Sequence, residues 1–247
     1  MSFTERFTTR AGDYVVGRPS YPPEVFDALF DGLGDPADVV VADLGAGTGI
    51  SSRLLADRGA QVFAVEPNRA MREAAQPHPR EQWVDGSAEA TGLGEASVDL
   101  VTAFQAFHWF DHARAFEEIV RILRPGGRAA VVYNERDESD PFTAAYGDLV
   151  RAYATDDTEQ RRADALQAFE AFEGWVVKRR IDVRNEQHLD VEGVLARARS
   201  SSYLPKTGPF ADDLHAAIRA LFARFAQDGR VVMAYRTIVS TGDVGAG

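Results

Sequence analysis

The chain of 247 residues contains no cysteine. That excludes disulfides, zinc–thiolate centres and thiol nucleophiles. Basic residues are outnumbered, 27 Lys and Arg against 38 Asp and Glu, for a formal net charge of −11. Gripping a phosphate backbone takes a basic surface, so no nucleic-acid partner is expected. Long apolar runs are also missing. Nothing reaches the length of a membrane span, and the N-terminus lacks the basic-then-apolar form of a signal peptide, so the expectation is a cytoplasmic chain with no membrane partner. There is no internal repeat, low-complexity tract or metal-ligand spacing, and no metal is expected. Hydrophobic residues make up 45%, enough for a sizeable core, and no linker is long enough to divide residues 1–247 into two domains. A monomer and a homodimer both remain open.

What is present centres on Val39-Val40-Val41-Ala42-Asp43-Leu44-Gly45-Ala46-Gly47-Thr48-Gly49. Its apolar start reads as a strand buried on both faces of a parallel sheet. After the glycines, Ile50, Leu54 and Leu55 recur at helical spacing. Strand, glycine turn and helix make the first half of a nucleotide-binding βαβ unit. A dinucleotide fingerprint counted from Gly45 needs glycine at position 50, where this chain has Ile50, so a nicotinamide-dependent oxidoreductase is the weaker alternative. Gln61–Val65 reads as a second buried strand ending at Glu66, 21 residues after Gly45, where an acid can accept both hydroxyls of a ribose.

Further strands are expected at Gln82–Asp85, Val98–Phe104 and Arg128–Asn134, with an amphipathic helix over Ala113–Leu123 stopped by Arg124-Pro125-Gly126-Gly127. The fourth strand runs into Gln105-Ala106-Phe107-His108-Trp109-Phe110-Asp111. Ligands of open α/β sheets collect beyond the carboxyl ends of strands, so this aromatic exit is a candidate site. Residues 135–173 and 191–227 read as helical insertions, with strand patterns at 174–184 and 230–239. In residues 1–21, Phe3, Phe7, Tyr14 and Tyr21 interleave with Arg6, Arg10 and Arg18, as a lid over a ligand would.

The spacing Asp43-x-Gly45-x-Gly47-x-Gly49, Glu66, the Leu123–Gly127 turn and the strand after it resemble class I S-adenosylmethionine-dependent methyltransferases over about residues 14–134. Arg18–Pro22 and His108-Trp109-Phe110-Asp111 resemble the trans-aconitate methyltransferases and their relatives. The resemblance implies a Rossmann-like α/β fold: a seven-stranded, mostly parallel sheet with an antiparallel edge hairpin, helices on both faces and helical insertions over an acceptor. It implies S-adenosylmethionine as cofactor, held by Tyr14, Arg18, Tyr21, Asp43, Gly45, Ala46, Gly47, Thr48, Gly49, Glu66, Pro67, Asp85, Ser87, Ala88, Gln105 and His108. The partner implied is a small organic acceptor, methylated on a carboxylate or hydroxyl oxygen, in an apolar pocket walled by Phe107, His108, Trp109, Tyr133, Asn134 and Tyr203. His108 is the candidate base or positioning group, since imidazole titrates near neutrality. A protein that keeps the cofactor without methylating is the other alternative.

Overall fold

A computed structural model describes residues 19–246. Pro22 precedes α1 (Pro23–Phe30), which buries Val25, Phe26, Leu29 and Phe30. The alternation that follows is β1 (Val40–Leu44), α2 (Ile50–Asp57), β2 (Gln61–Val65), α3 (Arg69–Glu73), β3 (Glu81–Val84), β4 (Val98–Phe104), α4 (His112–Ile122) and β5 (Leu123–Arg136). Two helices, α5 (Pro141–Tyr153) and α6 (Thr158–Ala171), lead to β6 (Val177–Leu189). Two more, α7 (Val191–Ser200) and α8 (Pro209–Phe225), lead to β7 (Val231–Asp243).

The seven strands form one sheet in the order β3-β2-β1-β4-β5-β7-β6. All pairings from β3 to β5 are parallel, and β7 runs antiparallel to both β5 and β6. The expected sheet and its edge hairpin are therefore present. Strand order reverses at β1, between β2 and β4, where the loops leaving β1 and β4 diverge and open a crevice.

Apolar side chains cover both faces. On one, Phe107, Phe116, Phe169 and Trp175 pack with sheet residues such as Val101 and Val131. On the other, Phe26, Leu29 and Leu55 pack on Val41, Val62, Leu100 and Val132. A third cluster joins α5, α7 and α8 to the far ends of β6 and β7 through Tyr146, Leu195, Tyr203, Leu214, Met233 and Tyr235. Helix α6 contributes Ala165 and Phe169 to the first cluster instead.

Strand bounds differ from the sequence reading, most at two places. The Arg124–Gly127 segment is a bulge within β5, not a break before it, because pairing with β4 resumes at Arg128 opposite Leu100. The sixth strand reaches Leu189, five residues past the expected end, pairing with β7 throughout. Arg128 secures the bulge. Its buried guanidinium pairs with Asp243 on β7 (2.6 Å) and donates to Leu29 O (3.1 Å) and Asp31 O (2.7 Å) at the end of α1.

Candidate active site

The turn after β1 is held by backbone that favours glycine. Gly45, Gly47 and Gly49 have φ of 68°, 59° and 82°, the left-handed region where a Cβ is strained. At Gly45 the approach of β4's exit loop adds a second reason: a Cβ would stand 2.7 Å from that of Ala106. Beneath the turn, Asp43 is fully buried. Its carboxylate accepts from Ser51 Oγ (2.7 Å), Ser52 Oγ (2.6 Å) and Thr102 Oγ1 (2.8 Å), joining β1 to α2 and β4. Burial pushes the carboxyl above its ordinary range against these three bonds. Asp43 therefore holds the turn from below and does not face the crevice.

Glu66 follows β2 at the crevice floor. One carboxylate oxygen accepts from Gly47 N (2.9 Å) and the other from Asn68 N (2.8 Å). Burial raises its carboxyl, while these N–H groups and Arg72 oppose the rise. A cleft of about 180 Å³ opens above it. Gly45, Gly47, Glu66, Pro67, Ser87, Ala88, Gln105 and Trp109 all line this cleft, so the structure brings together eight of the residues expected from sequence. Met71, Glu89, Phe104, Ala106 and Phe110 line it too and were missed. Met71, Phe104 and Phe110 are apolar, a character that a core and a cleft wall share.

The exit of β4 is unusual backbone. Gln105 sits at φ 55°, rare for a side chain, and its N donates to Val132 O (2.9 Å). Its Oε1 accepts from Arg162 on α6 (2.9 Å), which also pairs with Glu135 (2.8 Å). A 3₁₀ turn over Phe107–Trp109 follows. Arg161 of α6 lies over the Trp109 ring at 5.1 Å.

Several expected residues lie elsewhere. Tyr14 and Arg18, with most of the proposed lid over residues 1–21, fall outside the described residues. Tyr21, Ala46 and Asn134 line a second, smaller cavity that shares Gly45, Phe104 and Gln105 with the first. Thr48 lies behind the turn, on a separate depression with Arg53. Gly49 starts α2 against Trp83, and Asp85 points outward to pair with Arg72 (2.9 Å). Ser87, on the cleft wall, closes a tight turn with Ala90.

The acceptor pocket expected from Phe107, His108, Trp109, Tyr133 and Tyr203 requires correction. Phe107 is fully buried, edge-on to Phe169 at 5.6 Å and stacked on His112 at 4.8 Å. Tyr133 is buried beside it. Its hydroxyl accepts from His108 N (3.0 Å) and lies 3.4 Å from His108 Nδ1. Tyr203 is buried in the α5–α7–α8 cluster. Of the five, only Trp109 lines the cleft. The reason is the 3₁₀ turn, which directs neighbouring side chains to different sides, and α6, which covers the inward one.

Comparison with known proteins agrees with this geometry. Residues 42–131 match the methyltransferase domain family. An uncharacterized methyltransferase of Mycobacterium tuberculosis is 42% identical over 145 residues, 58% of each chain. One from Schizosaccharomyces pombe is 34% identical over 166 residues, 66% of this chain and 63% of that one. The match thus spans under two thirds of the length of these curated relatives. Among solved structures, a presumptive type II methyltransferase from Anaeromyxobacter dehalogenans superposes with a TM-score of 0.73 at 27% identity, over 93% of this chain and 99% of that one. Strand order, the glycine turn facing an acid after β2, and these matches lead to one assignment: residues 42–131 carry a methyltransferase domain, on the Rossmann-like fold of the class I S-adenosylmethionine-dependent methyltransferases.

Proposed function

We propose that the chain transfers a methyl group from S-adenosylmethionine to an oxygen of a small organic acceptor. The observation that carries this reading is Glu66 at the cleft floor beside Gly47. An ionised carboxylate offers about four acceptor positions. Gly47 and Asn68 take two, leaving two for the vicinal hydroxyls of a ribose. The wall next to Glu66 is apolar, with Met71, Ala88 and Phe110, and suits a flat base. The residues present therefore fit an adenosyl group, with Glu66, Pro67, Ser87 and Ala88 toward the nucleoside and Gly45, Gly47 and Gln105 along its other end.

A bound sulfonium cofactor supplies an already activated methyl group. The chain's residues then have to place the acceptor in line and exclude water. Trp109, at the cleft wall beneath Arg161, is placed to contact the acceptor. His108 lines neither cavity and its ring lies against Tyr133 Oη, which supports a positioning role for it over that of a base. An acceptor oxygen that is already ionised needs no base. The helices α5, α7 and α8 would cover it, in one domain with the sheet.

Calorimetric titration with S-adenosylhomocysteine and with NAD tests the reading. S-adenosylhomocysteine should bind and NAD should not. Glu66→Gln and Glu66→Ala should weaken S-adenosylhomocysteine by roughly 10- to 150-fold, the range for hydrogen bonds to a charged group. Binding unaffected by both substitutions, or a preference for NAD, would refute it.

A further inference from the structure

Arg197, on α7, is a buried cation with no anion beside it among the described residues. It is only 7% exposed, yet no carboxylate pairs with it among the described residues. Its side-chain partners are neutral hydroxyls, Tyr235 Oη at 3.3 Å and Ser201 Oγ at 3.1 Å. The other guanidiniums of this region are compensated: Arg136 pairs with Glu159, and Arg162 with Glu135. Arginine does not shed its proton in a protein, so the charge stays. A buried charge left unpaired is expensive, and folds seldom retain one without use.

The surroundings of Arg197 are short of negative charge in a chain that carries −11 overall. Burial would raise the Tyr203 phenol, yet Arg136 and Arg197 bring it below its ordinary value. Tyr146, within electrostatic reach of both arginines, has a buried hydroxyl with no hydrogen-bond partner among the described residues. Arg197 also lines the second cavity, opposite the glycine turn, with Gly45, Ala46, Ser51, Gln105 and Asn134. That cavity is about 30 Å³, room for a carboxylate or two waters and too small for a whole acceptor. It joins the cleft at Gly45, Phe104 and Gln105.

We propose that Arg197 is a carboxylate receptor, which binds the anionic end of a molecule whose remainder lies in the main cleft. The inference rests on the reading of that cleft as the adenosyl site. A carboxylate fits because the planar guanidinium fork matches its two oxygens. It can come from the amino-acid end of the cofactor or from the acceptor, and the two sources separate experimentally.

Wild type, Arg197→Met and Arg197→Lys are titrated with S-adenosylhomocysteine and with 5′-methylthioadenosine, which has the same nucleoside and no carboxylate. Acetate and benzoate are then titrated with and without S-adenosylhomocysteine, reading binding heat and melting temperature. If the cofactor supplies the carboxylate, Arg197→Met weakens S-adenosylhomocysteine by roughly 10- to 150-fold and leaves methylthioadenosine unchanged. If the acceptor supplies it, both nucleosides bind as before, and the stabilisation of wild type by acetate or benzoate disappears. Arg197→Lys keeps the charge without the fork and should fall between. Failure of wild type to bind either nucleoside would defeat the adenosyl reading, and the carboxylate titration without nucleoside would still test Arg197. The proposal is overturned if Arg197→Met or, should that variant not fold, Arg197→Lys matches wild type toward all four probes.

Discussion

Replacing Asp43 tests whether the glycine turn is held from below. In Asp43→Ala, the hydroxyls of Ser51, Ser52 and Thr102 lose their acceptor in a site with no access to water. At about 1 kcal/mol for each orphaned hydroxyl, the loss is about 3 kcal/mol. For a chain of this size that lowers the melting temperature by roughly 6–12 °C. Asp43→Asn is the informative contrast. Its amide oxygen can accept from Ser51 and Ser52 while its nitrogen donates to Thr102, so it should cost under about 1 kcal/mol. The pH dependence adds a second readout. Burial raises the Asp43 carboxyl above 3.8, so its contribution to stability is fully present below that value and shrinks as pH rises through the folded pKa. Asp43→Asn should therefore gain on wild type as the buffer goes from acid to neutral. Urea denaturation followed by circular dichroism measures both quantities. Asp43→Ala within about 1 kcal/mol of wild type, or Asn as damaging as Ala, would refute the reasoning.

Two further predictions concern the frame around the site. Burial pushes the Glu81 carboxyl on β3 to about 7, with Asp43 and Asp57 adding to the rise and Arg53 opposing it. Its stabilising contribution is thus complete below pH 4.5 and lost through about pH 7. Glu81→Gln should exceed wild type by ~1–2 kcal/mol above that range, after discount for its partial exposure, and match it in acid. Equal stability profiles across pH would contradict this. Ala96, on the exposed turn before β4, has φ 48°. Ala96→Gly should stabilise by about 1 kcal/mol, read as a melting temperature raised by roughly 2–4 °C; a lowered one would show that the strain is not there.

Most of the scaffold was legible because it is local. The apolar run before Asp43, the acid at 66 and the helix-to-strand alternation through Asn134 are short-range patterns, and each corresponds to an element of the sheet. Much of the cleft was legible for the same reason, since Gly45, Gly47, Glu66, Pro67, Ser87 and Ala88 sit at strand ends and the topology brings strand ends together. The far end of β6 was not, because its polar, alternately exposed residues have the pattern of an edge strand, whose pairing with β7 is non-local.

Side-chain direction around His108 could not be read either. Phe107, His108 and Trp109 are equally aromatic in sequence, and it is the 3₁₀ turn and the packing of α6 that send Phe107 to the core and Trp109 to the cleft. Arg197 shows the same limit most clearly. In the sequence it is one of two arginines on α7. Only the packing of α7 against β6 and α8 buries it, leaves it without a carboxylate among the described residues and sets it beside the glycine turn about 150 residues earlier in the chain. Local pattern is set by neighbours along the chain, and so the sequence determined the strands, the turn and the acid. Burial and pairing depend on residues far apart in it, and so only the tertiary structure decided which side chains meet at the site.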